Sequence, residues 1–346
     1  MPAARSPMPA SQQLLRLLLC DPRLDPDDLD WSQVLPLAER HQLLLRLMDW
    51  FEQRGELAPE PFRKAASLAR ARNRVLLELM AKVGARCSRL GVPHVFLKAA
   101  QHYPDLPKDV DLLIPAEDSG ADDIIIEHEP APAKARARAL LTGDSPLAIP
   151  GTGVVLHIRH GRLGRLGEHT RLPAHVLNRA RPTTLGDIVC YAPAPEDALL
   201  LQALSRFYGR PALRLRDVVS AINIIRSKTP LDWNGLADEA RDAGLLPGLR
   251  RHLEAIEQIH MTLLDRPLLP LDARCLIEDS ACEPAEFRND TFAYPAARVA
   301  APLYLRQFAT DIAKGDWGGA GRLILLPLVA AAAGYRRLAH QRPGGS

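Results

Sequence analysis

The sequence predicts an α+β protein in which a small mixed sheet lies between an N-terminal helical region and a C-terminal helical domain. Apolar residues recur at three- and four-residue steps up to about residue 90, short β-type runs bounded by glycine and proline follow, and helical spacing returns from residue 195. We therefore divide the chain into residues 1–11 as a disordered lead-in, 12–90 as the N-terminal helical region, 91–192 as the α/β core, 193–340 as the C-terminal helical domain and 341–346 as a loose tail.

One long amphipathic helix dominates the N-terminal region. Pro59 and Pro61 open it, because proline is tolerated in the first helical turn, and it is predicted to run to about Leu90. Its apolar residues keep the helical spacing apart from one break around Arg72 and Asn73. The shorter apolar segments before this helix predict further helices with one buried face.

The period changes at Gly91, and three β-type runs follow it. They are His94–Lys98, Val110–Ile114 and Val154–Ile158. Their β-branched and aliphatic residues favour buried strands. Between the second and the third run, residues 116–150 carry no single pattern, so strand and helix both stay open there.

From Pro195 the pattern is helical again. Glu196 and Asp197 follow this proline, and acidic residues in a first turn suit the helix dipole. Further helices are predicted over Arg214–Ile225, Leu236–Ile259 and Leu303–Leu338.

Composition and charge narrow the possible partners. The chain has 346 residues, a formal net charge of +3 and 5% aromatic residues. The near balance of charge argues against bulk binding of nucleic acid, and the low aromatic content argues against a platform for stacked bases. A small-molecule, peptide or protein partner is therefore expected in preference to a long nucleic acid.

The sequence predicts no membrane span and a cytoplasmic location. The longest apolar run, Leu323–Ala333, is interrupted by Pro327 and is shorter than the about 20 residues that a span requires. The 5 cysteines include no C-x-x-C pair, which favours free thiols in a reducing compartment.

The sharpest motif is Asp109-Val110-Asp111 at the start of the second β-type run. Residues two apart on a strand face the same side, so the two carboxylates are expected to converge. Close carboxylates repel one another unless a cation lies between them, and their hard oxygen atoms suit Mg²⁺ or Mn²⁺. Because substrate phosphates usually complete the coordination of magnesium, the motif indicates a metal–nucleotide site.

Basic residues also occur where a phosphate clamp is conceivable. The stretch Arg159–Arg165 follows the third β-type run, and Arg206, Arg210, Arg214 and Arg216 lie in and between the predicted C-terminal helices. Two interpretations stay open for both sets: they face a phosphorylated acceptor, or they form a solvated surface.

Several short motifs occur in an order that can be compared with the pattern of a known family. They are Leu97-Lys98-Ala99, Tyr103-Pro104 and Asp109-Val110-Asp111, with Trp31, Leu37–His41 and Arg72-Asn73 upstream and Val155-Leu156-His157, Pro195-Glu196-Asp197 and Leu213–Asp217 downstream. In this order they resemble the uncharacterised bacterial nucleotidyltransferase family of the polymerase-beta-like nucleotidyltransferase superfamily, whose hallmark is Leu-Lys-Gly, then Tyr-Pro and D-x-D. The resemblance covers roughly residues 12–260.

The resemblance implies a nucleotidyltransferase-like sheet and a metal-dependent reaction. A nucleoside monophosphate would move from a nucleoside triphosphate to a hydroxyl or phosphate of a small-molecule, peptide or protein acceptor. Asp109 and Asp111 would be the catalytic residues and hold Mg²⁺ or Mn²⁺. The residues that would bind the nucleotide are Lys98, Ala99, Lys108, His157 and Arg159.

Two departures from the family pattern leave alternatives open. Ala99 stands where the family has glycine, and the third acid of the superfamily is not evident, since Val155 holds its expected place. Glu127 and Glu129 are the candidate substitutes for that acid. The main alternative is a catalytically degenerate protein of the same fold that binds a nucleotide or a partner. A helical interaction protein and a peripheral membrane protein using Leu323–Ala333 are the other two.

Overall fold

A computed structural model of the chain describes residues 8–21, 23–25, 27, 29–116, 139, 142–209, 212–277, 286–288, 291–294 and 296–326. Its helices are α1 (Ala10–Leu18), α2 (Trp31–Arg40), α3 (Leu44–Gln53), α4 (Glu60–Leu90), α5 (Ala99–His102), α6 (Leu172–Asn178), α7 (Pro195–Ala203), α8 (Leu215–Ile225), α9 (Trp233–Asp242), α10 (Leu246–Leu264), α11 (Leu271–Arg274) and α12 (Ala296–Ala313). A π-helical turn, Leu204–Gly209, continues α7, and residues 317–326 are also helical. Its strands are β1 (Val95–Phe96), β2 (Val110–Ile114), β3 (Asp144–Ile149), β4 (Val154–His160), β5 (Arg181–Leu185), β6 (Ile188–Ala192), β7 (Ala212–Arg214), β8 (Glu286–Arg288) and β9 (Thr291–Ala293).

The central sheet has four strands in the order β1-β2-β4-β3. β2 and β4 run parallel, whereas β1 and β3 run antiparallel to their neighbours. With helices before and after it, this mixed sheet confirms the predicted α+β architecture. β1, β2 and β4 fall on the three predicted β-type runs, whereas β3 lies in the segment that carries no single sequence pattern.

The two faces of the sheet pack against different cores. On one face, Phe96, Leu112 and Ile114 form a cluster with the α4 residues Leu76, Met80, Val83 and Cys87. Val95 and Leu113, one position along their strands, belong to the larger core of the terminal helices. Burying one large apolar side chain stabilises a fold by about 1.5–3 kcal/mol, so the sheet is fixed from both sides. Asp111, two residues before Leu113, therefore faces away from α4.

The break in the apolar pattern of α4 holds the loop that leads to Asp109. Asn73 is buried, and its Nδ2 donates a hydrogen bond to the Pro104 carbonyl. Arg72 Nη2 donates to the Leu106 carbonyl at 3.3 Å. These polar residues interrupt the stripe because the carbonyl groups of the loop need donors where the loop is removed from water. The loop before the Asp109-Val110-Asp111 motif is therefore fixed to the N-terminal region.

Asp105 anchors the same loop to α3. Its carboxylate accepts hydrogen bonds from the backbone N–H groups of Leu45 at 2.7 Å and Arg46 at 3.0 Å. The first turn of a helix has N–H groups without an intrahelical partner and favours a negative charge. The Arg46 guanidinium donates to the carbonyls of Gln101 and Tyr103, both at 2.9 Å. Loop and helix therefore fix each other.

The sequence does not predict every element. It misses β3, α6, the β5–β6 hairpin and the sheet β7-β9-β8, because short strands and edge strands carry weak periodic signals. The segment Leu236–Ile259, for which the pattern fits one helix or two, contains two, since the chain turns at Gly244 with a positive φ of 71° between α9 and α10. Helix α1 begins at Ala10, inside the predicted lead-in.

Some predictions lie outside the described residues. They concern residues 1–7, Glu127, Glu129, Arg210 and the tail 341–346. The apolar run Leu323–Ala333 is described only as far as Leu326. Within the described part of the chain, no helix is long and apolar enough to cross a membrane.

Glu196 and Asp197 are buried rather than solvated at the start of α7. Arg179 contacts both, with Nη2 3.1 Å from Glu196 Oε2 and Nε 3.7 Å from Asp197 Oδ2. The buried Glu239 of α9 pairs with Arg179 and with His175. Burial raises the pKa of Asp197 to about 7, although Arg179 opposes this. The Arg179 guanidinium therefore contacts the carboxyl groups of Glu196, Asp197 and Glu239.

We predict that Asp105→Ala lowers the free energy of unfolding by about 2–3 kcal/mol, because two backbone N–H groups lose their acceptor and Arg46 loses its counter-ion. Urea unfolding monitored by circular dichroism measures the loss. Asp238→Ala is the matched control, since its side chain is 75% exposed and pairs only with Arg241 one turn along α9. That surface pair contributes about 0.5 kcal/mol or less. Equal losses in the two variants would contradict the anchoring role.

We also predict that Asp197→Asn changes how stability depends on pH. The carboxyl group keeps its proton in the folded chain while the unfolded chain loses it, so stability falls as pH rises from 3.8 to about 7. The amide does not titrate, so the variant should gain stability relative to the wild type between pH 4 and pH 8. Thermal melts at these two pH values measure the difference. Parallel pH dependence in both proteins would refute the buried, protonated carboxyl.

Candidate active site

A cavity of about 550 Å³ lies between the central sheet and the C-terminal helices. On the side of the sheet it is lined by five of the residues predicted from the sequence, namely Lys98, Asp109, Asp111, His157 and Arg159. The C-terminal side contributes Gln202, Arg206, Arg214 and Arg216, among others. The cavity thus brings the D-x-D motif and a set of basic residues into one space.

Asp111 is the centre of the polar network in this cavity. It lies on β2, inside the sheet, and its side chain is only 6% exposed. Its Oδ2 accepts a hydrogen bond from Lys98 Nζ at 2.6 Å. Its Oδ1 accepts two from Arg159, from Nε at 3.0 Å and from Nη2 at 2.9 Å. Both carboxylate oxygens therefore face positive charges.

These charges decide the ionisation of Asp111. Burial by itself raises the pKa of this carboxyl group, but the positive charges of Lys98 and Arg159 outweigh burial and hold the pKa well below its ordinary value. Burial likewise opposes the charge of Arg159, yet Asp111 and Asp144 raise its pKa overall. Asp111 and Arg159 are therefore both charged at neutral pH.

A third carboxylate, Asp144, shares Arg159 with Asp111. Asp144 is the first residue of β3 and lies opposite Arg159 in the antiparallel pair of β3 and β4. Its Oδ2 is 3.8 Å from Arg159 Nη1, and it lines the same cavity. A third acid therefore lines the cavity from β3, the strand next to the predicted third β-type run.

The sequence does contain a signal for Asp144, although it is weak. Gly151 and Gly153 both have positive φ and form the turn between β3 and β4. A turn of this composition predicts a hairpin, and therefore an extended partner for Val154–Ile158 immediately before it. Counting back along this partner reaches Asp144 at the end of the strand that lies near Arg159.

His157 forms a pair with this third acid. Its Nδ1 is 3.0 Å from Asp144 Oδ1. The hydrogen bond to Asp144 raises the pKa of His157, and burial only partly opposes it. For Asp144, burial raises the pKa, but His157 and Arg159 lower it overall. A histidine oriented by a carboxylate at the edge of a cavity is suited to accept a proton.

Three other predicted site residues, Ala99, Lys108 and Asp109, lie in different surroundings. Ala99 begins α5 and is not among the residues with positive φ, so the backbone here does not require the glycine of the family pattern. Its methyl group packs in the core against α4. Lys108 is exposed and does not line the cavity. Asp109 is exposed, lines the cavity and forms no ion pair with any described residue.

The two acids of the motif fit a divalent ion in the kind of donor they supply. Among the described residues, no three His, Cys, Asp or Glu side chains lie close enough to form a metal-binding group. Magnesium needs fewer protein ligands, since one or two carboxylates usually hold it together with water and substrate phosphates. Asp109 and Asp111 are such a pair, and the Lys98 ammonium occupies one oxygen of Asp111.

The basic stretch after β4 is held in place by its own contacts. Leu163 and His169 form a β-bridge across it. Between them, the buried Glu168 carboxylate accepts hydrogen bonds from the backbone N–H groups of Arg165 at 3.2 Å and Leu166 at 2.8 Å. Arg165 lines the cavity. This part of the stretch is therefore a folded turn at the cavity wall.

Comparison with known proteins identifies one family. The model of a family described as uncharacterised nucleotidyltransferase matches residues 27–259, which is more than half of the chain. This range includes the cavity residues described above. No curated protein matches the sequence.

We predict that His157 titrates above its ordinary pKa of 6.5 and that Asp144→Asn lowers this pKa, because the amide cannot stabilise the imidazolium as the carboxylate does. Imidazole proton and carbon shifts, followed by NMR from pH 5 to pH 9, measure both values. His94 is an internal control, since its Nδ1 hydrogen-bonds to the Val92 carbonyl. An unchanged His157 pKa in the variant would contradict the pair.

Proposed function

The chain belongs to this family of uncharacterised nucleotidyltransferases, and from that premise we propose a metal-dependent nucleotidyl transfer at the cavity. The substrate would be a nucleoside triphosphate. The acceptor would be a hydroxyl or phosphate group of a small molecule, a peptide or a protein. Because nucleoside triphosphates are intracellular metabolites, the same proposal assigns the protein to the cytoplasm.

One observation carries the proposal: three acidic residues at the starts of strands β2 and β3 of the central sheet line a single cavity. Asp109 and Asp111 are two positions apart at the start of β2, and Asp144 begins β3 on the far side of β4. The third acid distinguishes a catalytic site from a degenerate one, since two carboxylates hold a metal while a further group is needed to activate the acceptor. Asp144, with His157 beside it, is available for that role.

The chemistry follows from these groups. The acceptor oxygen attacks the α-phosphorus, a new P–O bond forms, and the bond to the leaving pyrophosphate breaks. A metal ion held by Asp109 and Asp111 would neutralise negative charge that develops on the phosphates. Lys98 lies beside Asp111 and is 37% exposed, so its ammonium can move from the carboxylate to a phosphate oxygen.

Arg159 and His157 complete the assignment of roles. Arg159 keeps Asp111 ionised and oriented through its two hydrogen bonds, and is therefore a positioning residue. His157, whose ring is oriented by Asp144, would accept the proton of the acceptor hydroxyl. The hydrogen bond to Asp144 raises the pKa of His157, which makes its imidazole a stronger proton acceptor.

A second candidate function is binding without catalysis. The observation that favours it is the saturation of Asp111, whose two oxygens already contact Lys98 and Arg159. A carboxylate neutralised in this way resists exchange of its partners for a metal ion, and the cavity would then hold a nucleotide through its basic residues alone.

Asp109→Asn separates the two candidates. Asp109 is exposed and pairs with no described residue, so the substitution should leave the fold intact and remove one metal ligand. Isothermal titration calorimetry of a panel of nucleoside triphosphates, with and without Mg²⁺, measures binding. We predict Mg²⁺-dependent binding by the wild type, weakened at least tenfold in Asp109→Asn, the loss expected for one charged ligand.

The matched control is Asp187→Asn, an exposed acid in the turn between β5 and β6. Its binding should equal that of the wild type. Triphosphate binding that is independent of both Mg²⁺ and Asp109 would favour the binding module. If no triphosphate binds the wild type, the proposed transfer reaction is excluded.

A further inference from the structure

Arg216 is a buried cation whose side chain forms no hydrogen bond with any other residue in the described part of the chain. It lies in the first turn of α8, lines the cavity, and its side chain is only 10% exposed. Its Nε and Nη1 are removed from solvent, and no described residue accepts a hydrogen bond from either. Its nearest acidic atom is Asp217 Oδ1, 3.9 Å from Nε, which is too far for a hydrogen bond.

Asp217 forms no hydrogen bond with Arg216, because its carboxylate oxygens already accept hydrogen bonds from other groups. Arg206 Nη2 donates to its Oδ1 at 2.9 Å, and Arg206 Nε lies 2.9 Å from its Oδ2. The backbone N–H of Arg214 donates to Oδ2 at 2.8 Å. This bidentate pair and the helix cap fix Asp217, so one carboxylate faces the guanidinium groups of Arg206 and Arg216.

Two guanidinium groups on this wall of the cavity, those of Arg206 and Arg216, share the carboxylate of Asp217. Arg214 lines the same wall. Burial lowers the pKa of Arg216 to about 10, which still leaves it charged at neutral pH. The neighbouring His102 adds no charge, because burial and the nearby Arg216 hold its pKa well below the ordinary value. A buried charge of this kind is unfavourable unless a partner arrives.

We propose that Arg216, with Arg206 and Arg214 beside it, forms a phosphate-binding subsite on the C-terminal wall of the cavity. A guanidinium group is suited to binding phosphate, because it stays charged and its N–H donors match phosphate oxygens. Bound phosphate places a further negative charge beside Arg206 and Arg216, which share the carboxylate of Asp217. The subsite is separate from Asp109 and Asp111, which lie on the sheet side.

The identity of the phosphate rests on the proposed function. Two sources share the required chemistry: the terminal phosphates of the nucleoside triphosphate, and a phosphate group on the acceptor. Anion binding by Arg216 needs neither a metal ion nor Asp109, so the subsite and the transfer reaction can fail independently.

The experiment is calorimetric titration of the full chain with inorganic tripolyphosphate in the presence of EDTA, which removes metal ions. We expect binding by the wild type and a Kd at least tenfold higher for Arg216→Gln, as for loss of a charged hydrogen-bonded pair. Arg63→Gln, which changes an exposed arginine of α4, is the matched control and should bind like the wild type. Arg216→Lys keeps the charge but not the planar guanidinium donors, so its Kd should lie between those of the wild type and Arg216→Gln.

A stability measurement excludes a merely structural role. Without ligand, Arg216→Gln should melt at the same temperature as the wild type or higher, since the substitution removes an uncompensated buried charge. With saturating tripolyphosphate, the wild type should gain more in Tm than the variant does. A variant that melts lower without ligand yet binds tripolyphosphate like the wild type would overturn the proposal.

A second titration distinguishes the two sources of phosphate. If Arg216→Gln weakens the binding of a nucleoside triphosphate and leaves the binding of the nucleoside monophosphate unchanged, the subsite holds the terminal phosphates. If the substitution instead weakens the binding of inorganic phosphate to protein saturated with a non-hydrolysable triphosphate, the subsite holds the phosphate of the acceptor. An affinity within twofold of the wild type in every arm, or no anion binding by the wild type, would overturn the subsite. Where Arg216→Gln does not fold, Arg216→Lys is judged by the same criterion.

Discussion

The charged network around Asp111 is the interaction on which the rest of the site depends. A carboxylate inside a sheet must be paired, because an isolated buried charge is strongly unfavourable. Here the partners come from different elements: Lys98 from the end of β1 and Arg159 from β4. Arg159 also reaches Asp144 on β3. The pairing therefore links two acids, Asp111 and Asp144, with two bases, Lys98 and Arg159, at one cavity.

The N-terminal helices support this arrangement from outside the cavity. Arg72 and Asn73 of α4 and the first turn of α3 hold the loop between Gln101 and Leu106, which leads directly to Asp109. This gives the upstream motif Arg72-Asn73 a physical role, since it fixes the start of β2 by hydrogen bonds. It also accounts for a family match that begins at residue 27, well before the sheet.

The sequence predicts the parts of the site that local patterns encode. The long helix α4, strand β2 and the same-side placement of Asp109 and Asp111 all follow from periods of 3.6 and 2. Asp144 does not follow in this way, because its position beside Arg159 depends on antiparallel pairing of β3 and β4. Whether Ala99 can replace the glycine of the family pattern also depends on the backbone conformation, since glycine is needed only where φ is positive.

Local sequence patterns predict even less about the arginines on the C-terminal wall of the cavity. The sequence places Arg214 and Arg216 near the start of a helix, but both a solvated and a cavity-facing position fit that spacing. Only packing of α8 against α5 decides between them, through the hydrogen bond of Ser220 to the Gln101 carbonyl at 2.9 Å. Burial of a side chain is a property of the assembled fold, and no local pattern contains it.

The central claim is that Lys98 holds Asp111 until a metal–nucleotide complex takes its place. A crystal structure with Mn²⁺ and a non-hydrolysable nucleoside triphosphate tests this most directly, because the anomalous signal of manganese locates the ion. The account predicts an anomalous peak at Asp109 and Asp111, with the Lys98 ammonium moved from Asp111 to a phosphate oxygen. Nucleotide bound in the cavity with Lys98 still on Asp111 and no manganese beside the two acids would contradict it.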